Sequence, residues 1–302
     1  MTPTHDAAVQ LLLLCYFAAM GACVGSFVNV VVVRLQAGLS LVRPRSRCPR
    51  CGNPIAWYDN IPLLSFVLLR GRCRVCRQAI PWRYPLVELL TTAIFAALFV
   101  RFGVGPRLVM WLPLSAALIA IVFLDLDAWW IPDAITYPAM LWASAWAFAP
   151  GGPGVRGILT GALPAVFLWL IAWGFQRLTG REGMGMGDVK LLALMGLVLG
   201  GLSGLFALFL ASVQGTVLGG LLLLLRGDEA PTDALASAPE HIPTSAPGSA
   251  PTEDNDDTWQ PPPHAVPFGP FLVLATFEVL LLPDWFRALP WRLATAFLET
   301  TG

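Results

Sequence analysis

Residues 183–226 read GMGMGDVKLLALMGLVLGGLSGLFALFLASVQGTVLGGLLLLLR, with no charged side chain between Lys190 and Arg226. A helix needs about 20 apolar residues to cross the hydrocarbon core of a bilayer. The uncharged stretch is too long for one such helix and slightly short for two, and the glycines at 200–204 supply a turn in its middle. We therefore predict two short transmembrane helices here, preceded by Asp188 on a glycine-rich turn.

The rest of the chain has the same apolar character. It has 302 residues, of which 56% are hydrophobic and 13% charged, whereas soluble domains contain about 25% charged residues. We expect an all-α polytopic membrane protein with about eight transmembrane helices. The remaining predicted spans are 8–33, 84–100, 108–124, 135–149, 158–175 and 266–282.

The distribution of charge predicts the orientation in the membrane. Residues 35–83 contain nine of the 19 basic residues and a single acid, Asp59, whereas residues 227–260 contain eight acids and no Lys or Arg. The positive-inside rule makes 35–83 cytoplasmic, and alternation of the spans then brings Asp125 and Asp188 to the same cytoplasmic face. The arginines also suit contact with anionic membrane lipids. A formal net charge of zero gives no reason to expect a nucleic-acid partner.

These features divide the chain into five segments. Residues 227–263, which include the acidic residues, have eight prolines and too little apolar surface to fold alone. We therefore predict that they form a disordered cytoplasmic loop, and we assign them no chemistry. The predicted segments are a first transmembrane helix (1–34), a cytoplasmic four-cysteine domain (35–83), a transmembrane core with both aspartates (84–226), the acidic loop (227–263), and a last transmembrane helix with a tail (264–302).

Four cysteines in the basic segment form two Cys-x2-Cys pairs. Cys48 and Cys51 are followed, after 21 intervening residues, by Cys73 and Cys76. This spacing is typical of a Zn²⁺ site with four thiolate ligands. Two disulfides or a redox pair are alternatives, which a cytoplasmic location disfavours. Zinc with four thiolates has no open coordination position, so we interpret the metal as structural.

Asp125 directly follows the apolar stretch 108–124, and Asp188 lies shortly before the uncharged stretch 191–225. Acids at the edge of a membrane span are costly and are candidates for function, and two carboxylates that share a proton can hydrolyse a peptide bond. The glycines before Asp188 permit unusual backbone angles and close approach of a substrate chain. Asp127 and Asp133 lie closer to water, and we interpret them as solvated helix ends. A non-catalytic membrane assembly factor and a proton-coupled transporter are the alternative functions.

Several motifs occur in a characteristic order. They are GSFVNV at 25–30, the four-cysteine loop with WYDNIP at 57–62, RYPLVELL at 83–90, the segment 125–133, GMGDVK at 185–190 and PFGPF at 267–271. This order resembles the type IV prepilin peptidases, the bifunctional leader peptidases and N-methyltransferases of bacterial type IV pilus and type II secretion systems. The long loop 227–263 and the tail from Pro283 onward depart from the family pattern.

The resemblance implies that Asp125 and Asp188 are the catalytic pair of a Gly-x-Gly-Asp aspartic membrane protease, with 84–226 as its peptidase core. It implies a multi-pass protein of the bacterial inner membrane that cleaves the basic leaders of prepilins and pseudopilins after a glycine, on the cytoplasmic side. Pilus or secretion machinery is the implied partner.

The resemblance also implies N-methylation of the new N-terminus with S-adenosylmethionine as methyl donor. The chain has no Rossmann-type glycine-rich turn for this donor. Glu88 is the one acid near the four-cysteine loop that we associate with methyl transfer, although the dipole at a helix start explains an acid there equally well. A peptidase without methylation is the alternative.

Overall fold

The computed structural model describes residues 3–43, 45–149, 152–180, 185–226 and 266–282. The predicted disordered loop 227–263, the first two residues of the glycine-rich motif (183–184) and the tail from 283 lie outside these residues. Within them the structure has ten α-helices, namely α1 (Pro3–Gln36), α2 (Leu64–Leu68), α3 (Arg83–Phe102), α4 (Pro106–Ala128), α5 (Asp133–Ala147), α6 (Gly154–Gly161), α7 (Leu163–Thr179), α8 (Met186–Leu199), α9 (Gly201–Arg226) and α10 (Gly269–Leu281).

The predicted all-α membrane class is confirmed. Five described segments are long and apolar enough to cross a membrane, namely Ala7–Gln36, Arg83–Phe102, Pro106–Ala128, Gly154–Thr179 and Gly201–Leu222. The other three predicted spans correspond to α5, α8 and α10, which have 15, 14 and 13 residues. These three helices are shorter than the roughly 20 residues of a full span.

Prolines and one left-handed residue set several helix boundaries. Pro106 and Pro270 lie in the first turns of α4 and α10, where the missing N–H of proline leaves no helical hydrogen bond unmade. Pro132 has an extended conformation and directly precedes α5. The last residue of α4 is followed by Trp129 in the left-handed conformation, and the Trp129 N–H donates to the Asp125 carbonyl. The end of α4 therefore comes immediately after its aspartate-bearing turn.

Gly200 separates the two helices that the uncharged stretch predicts. It has a φ of +87° between the end of α8 and the start of α9, a conformation that glycine adopts without steric cost. Gly201 and Gly204 are already helical, so the turn is shorter than predicted, although the two helices are confirmed. From Val213 onward, α9 belongs to a second compact unit, whose described residues are this part of the helix and Val266.

Helix α4 is the most buried of the long helices. In its most apolar window 67% of the residues are buried, against 17% in α1. It packs against α1, α3, α5 and α10, whereas α8 packs against α5, α6, α7 and α10. Helices α5 and α10 therefore contact both of the helices that carry the predicted catalytic aspartates. Exposed apolar side chains on the outer helices suit lipid contact, among them Leu12, Tyr16, Phe167 and Leu170.

Candidate active site

Asp125 lies in the last turn of α4 and is buried, with 5% of its surface exposed. Its neighbours Ile121 and Leu124 are completely buried. Burial of an ionisable side chain is costly unless it has hydrogen-bonding partners. The Asp125 Oδ2 atom accepts a hydrogen bond of 3.0 Å from the Gly269 N–H at the start of α10. The carboxyl group is therefore held by a backbone donor from the opposite end of the sequence.

Asp188 lies in the first turn of α8 and is half-buried. An acid in this position faces the unpaired N–H groups of the helix start and interacts favourably with the helix dipole. Gly185 directly precedes the helix with a φ of −69°, and Gly187 is within it. Neither glycine has the unusual backbone conformation that the sequence suggested. Their small size matters instead, because a Cβ on Gly187 would lie 3.1 Å from the Ile131 Cβ.

The two aspartates come close together although 63 positions separate them in the sequence. The Asp125 carboxyl is near enough to act electrostatically on Asp188. Ile131, in the connection between α4 and α5, lies beside Gly187, and its Cδ1 atom would also be 3.5 Å from a Cβ on Gly269. Asp125, Asp188 and the start of α10 therefore form one cluster at one end of the helix bundle. We call Asp125 and Asp188 the aspartate pair.

Gly269 is the residue of this cluster that the sequence analysis did not assign to the site. It belongs to the PFGPF motif at 267–271, which carried part of the family resemblance without a role of its own. A Cβ at this position would collide with Asp125 Oδ2. The glycine thus permits the backbone of α10 to approach the carboxyl group closely enough to donate a hydrogen bond. A glycine directly before Pro270 at a helix start was the available signal.

Asp127 and Asp133 are exposed at the end of α4 and the start of α5, which fits their interpretation as solvated helix ends, and each is paired with neighbouring side chains. Asp127 accepts a hydrogen bond of 3.0 Å from Gln36 Nε2 and forms an ion pair with Arg83. Lys190 Nζ lies 2.7 Å from Asp133 Oδ1. The first pairing ties the end of α4 to both ends of the four-cysteine loop. The second ties the start of α5 to α8 two residues after Asp188.

The four cysteines form one cluster. All four Sγ atoms lie within 4.8 Å of one another, so the group could hold a metal ion. Cys48 Sγ and Cys76 Sγ are 3.8 Å apart, far beyond the roughly 2.05 Å of a disulfide bond, and all four are free thiols. Hydrogen bonds from the backbone N–H groups of Cys51 and Arg50 lower the pKa of the Cys48 thiol to about 6, whereas the pKa of the Cys76 thiol is raised to about 11, against the lowering effect of the Gln78 backbone, by burial and by hydrogen bonds with the other three cysteines.

The two Cys-x2-Cys turns are built alike. In each, the N–H of the first cysteine donates to the carbonyl five residues later, and the N–H four residues later donates back to the cysteine carbonyl. These distances are 2.9 and 2.9 Å in the Cys48 turn, and 2.9 and 3.0 Å in the Cys73 turn. The residue four positions after the first cysteine has a positive φ in both turns, and it is Gly52 in one and Arg77 in the other. The two turns therefore have the same local structure, and together they place the four sulfurs in one cluster.

Comparison with known proteins gives the family. The model described as Bacterial Peptidase A24 N-terminal domain matches residues 19–102, and the model described as Type IV leader peptidase family matches residues 112–220. A relative from Myxococcus xanthus (strain DK1622) is named prepilin leader peptidase/N-methyltransferase. It is 40% identical over an alignment of 311 positions, gaps included, which covers 91% of this chain and 92% of the relative. The chain belongs to the type IV leader peptidase family.

Two further family members carry the same name as the Myxococcus protein. The protein from Aeromonas salmonicida (strain A449) is 35% identical over 86% of this chain and 88% of its own length. The protein from Pseudomonas aeruginosa is 34% identical over 88% of this chain and 89% of its own length. No solved structure matches the chain.

The family models cover the aspartate pair and the four-cysteine cluster separately. The first match contains most of α1, the four-cysteine loop and α3, and the second contains Asp125 and Asp188. Helix α10, with Gly269, lies beyond both matches. The hydrogen bond from Gly269 to Asp125 therefore links the matched residues 112–220 to a helix outside them.

Proposed function

We propose that this chain is a membrane aspartic endopeptidase that removes the leader peptides of type IV prepilins and type II secretion pseudopilins. We propose further that it N-methylates the new N-terminal residue with S-adenosylmethionine as methyl donor. All three relatives described above are named for both activities. Their names support this function over a peptidase without methylation and over a non-catalytic assembly factor.

The observation that carries the peptidase proposal is the aspartate pair at one end of the helix bundle. Asp125 and Asp188 interact electrostatically, and Asp125 is oriented by the Gly269 N–H. Two carboxyl groups that repel each other electrostatically hold one proton between them more easily than they hold two charges. The ionised carboxylate removes a proton from water as the water attacks the scissile carbonyl. The protonated carboxyl then donates to the amide nitrogen of the leaving chain.

The charge of the four-cysteine loop supports the orientation. Nine basic residues in 35–83 favour a cytoplasmic location in a bacterial inner membrane. Gln36 and Arg83, at the two ends of this loop, both contact Asp127 at the aspartate end of α4. The aspartate pair is then also on the cytoplasmic side, where the basic leader of a prepilin enters from the cytosol. Prepilins, pseudopilins, membrane lipids and the pilus or secretion machinery are the partners in this proposal.

We propose that Cys48, Cys51, Cys73 and Cys76 hold a structural Zn²⁺ ion. Four sulfurs around zinc at about 2.3 Å in tetrahedral geometry are about 3.8 Å apart. The distance between Cys48 Sγ and Cys76 Sγ is 3.8 Å. Such a donor set leaves no open position on the metal, so the ion would stabilise a loop with little apolar core of its own.

We expect Cys48→Ser to lower the zinc content from about one ion per chain to near zero, because three remaining thiolates bind far more weakly. Zinc is measured by elemental analysis of the purified protein, with Cys15→Ser, outside the cluster, as the matched control. Full zinc in the Cys48 variant would contradict the assignment of these ligands.

The whole function is tested with purified protein in lipid nanodiscs and a prepilin whose basic leader ends in glycine. Mass spectrometry is expected to find the mature chain cleaved after that glycine and carrying one added methyl group when S-adenosylmethionine is supplied. An intact leader after prolonged incubation would contradict the peptidase proposal. A cleaved chain that never gains the methyl group would contradict only the methylation.

A further inference from the structure

Lys190 is the single lysine of the chain, whose other 18 basic residues are arginines. It closes the GMGDVK motif at 185–190 and lies near the start of α8, two residues after Asp188. The peptidase chemistry uses the aspartate of this motif and leaves the lysine without a role. The contacts of the Lys190 side chain therefore bear on the aspartate pair.

The Lys190 ammonium group is held by two side chains of α5. Its Nζ atom donates hydrogen bonds of 2.7 and 3.0 Å to the two carboxylate oxygens of Asp133, and it lies 5.3 Å from the centre of the Tyr137 ring. Asp133 is the first residue of α5, and Tyr137 is four positions further along, so both are on the same face of that helix. The ammonium group therefore has a defined position against α5.

This contact joins α8 to the segment that continues α4. Residues 129–132 connect α4 to α5, and Asp133 is the first residue after the connection. Ile131 in the connection lies beside Gly187 in the first turn of α8. The link from Lys190 to Asp133 thus holds α8 where Ile131 already touches it. Because α4 and α8 carry one aspartate each, the link bears on the distance between the two carboxyl groups.

The position of Asp188 depends on such a link because the chain directly before it is permissive. Gly185 and Gly187 are two of the three residues that precede this aspartate, and glycine restricts the backbone less than any other residue. The local backbone alone therefore does not hold the start of α8 at one distance from Asp125. A side-chain contact two residues further along α8 does so.

The link positions α8 while contributing little to the stability of the fold. The Asp133 side chain is 52% exposed and that of Lys190 is 28% exposed, and ion pairs near the surface add little to the free energy of unfolding. Positioning is far more sensitive, because displacement of a reacting group by about 1 Å lowers a rate by on the order of 100-fold. Loss of the link should therefore slow cleavage much more than it destabilises the protein.

We propose that Lys190 is a positioning residue of the peptidase, which holds the start of α8 against α5 through Asp133 and thereby sets the distance of the Asp188 carboxyl from Asp125. This inference rests on the proposed function. Lys190 acts through Asp188 and touches neither the attacking water nor the scissile bond. Its role is to keep the two carboxyl groups where they share one proton.

The first test separates positioning from substrate binding. Lys190→Met keeps an unbranched side chain and removes the ammonium group, so kcat for leader cleavage should fall by roughly tenfold or more. KM should stay within about twofold, and the melting temperature should stay near that of the wild type. Lys190→Arg keeps the charge and can pair with both oxygens of a carboxylate, so it should restore most of kcat. Initial rates over a range of prepilin concentrations in nanodiscs measure both constants.

The partner of Lys190 is tested in the same assay. Asp133→Leu removes both acceptor oxygens and should lower kcat by about the same factor as Lys190→Met. The double variant should be about as slow as the slower single variant, because both changes break one contact. Arg177→Met is the matched control, since it removes a cation that lies 5.2 Å from the Trp173 ring on α7. It should cleave at the wild-type rate.

A spectroscopic test detects the contact without any assay of activity. Because the chain has one lysine, reductive methylation of the purified protein in detergent with carbon-13 formaldehyde labels only the Lys190 Nζ atom and the N-terminal amine, and it preserves their positive charge. Lys190→Arg lacks the lysine signal and so assigns it. The NMR signal of methylated Lys190 should shift in Asp133→Leu and stay in place in Arg177→Met.

Four results would each overturn the proposal. They are a Lys190→Met protein that cleaves as fast as Arg177→Met, a wild-type kcat in Asp133→Leu, a lysine signal that does not respond to Asp133→Leu, and a raised KM with unchanged kcat in Lys190→Met. The last would place Lys190 in substrate binding. A wild-type protein that cleaves no prepilin is a different result, because it would contradict the proposed function as well.

Discussion

We expect Asp125→Asn and Asp188→Asn each to lower the rate of leader cleavage by roughly 10⁴-fold or more, the scale seen when one member of a catalytic unit is removed. Asparagine has nearly the same shape as aspartate, but it neither accepts a proton from water nor donates one to a leaving amine at neutral pH. The loss should therefore occur in the chemical step. Single-turnover cleavage of a prepilin in nanodiscs, followed by mass spectrometry, measures it directly.

The matched control is Asp254→Asn, which changes an acid of the loop 227–263 to which the sequence assigns no chemistry. It should cleave at the wild-type rate. Loss of fold is excluded if the Asn variants retain their zinc and their methylation of a substrate that has already been cleaved. A variant at either position 125 or 188 that keeps a tenth of wild-type activity would contradict its catalytic role.

We expect Gly269→Ala to lower leader cleavage by roughly 100-fold, the effect of displacing a reacting group by about 1 Å. The added methyl group would collide with Asp125 Oδ2 and contact Ile131. Either the carboxyl group or the start of α10 must move, and the hydrogen bond of 3.0 Å between them is then lost. The aspartates remain chemically intact in this variant, so any loss reports their positioning.

Gly105→Ala is the control for Gly269→Ala. Like Gly269, Gly105 stands directly before a proline at the start of a helix, but it has an extended backbone and open space around its Cβ position. Its activity and melting temperature should remain near those of the wild type. If Gly269→Ala cleaves prepilin as fast as Gly105→Ala, then the contact between α10 and Asp125 does not position the carboxyl group.

Local sequence patterns predicted much of the architecture. Uninterrupted apolar stretches predicted the helical segments, because a membrane span must satisfy its backbone hydrogen bonds internally. The spacing of Cys48, Cys51, Cys73 and Cys76 predicted their cluster, because each Cys-x2-Cys turn is a local structure. The same-face prediction for Asp125 and Asp188 came from alternation of the spans, and in the structure Asp125 is near enough to act electrostatically on Asp188.

The unpredicted features are contacts between distant parts of the chain. The N–H of Gly269 reaches Asp125 across 144 positions, and a backbone donor has no side-chain signature in a sequence. The pairing of Asp127 with Gln36 spans 91 positions and depends on how α1 and α4 pack. The Leu63 N–H likewise donates to Glu88 Oε2 across 25 positions, from a residue with a φ of +59°. These contacts follow from helix packing, which apolar periodicity alone does not specify.

The central claim is that Asp125 and Asp188 act as one catalytic unit, and the double variant Asp125→Asn/Asp188→Asn tests it most directly. Single-turnover leader cleavage is measured for the wild type, both single variants and the double variant. If the two carboxyl groups share one proton in one reaction, the double variant will be about as slow as the slower single variant. Multiplication of the two single losses in the double variant would contradict the claim, because it would mean that the two aspartates act independently.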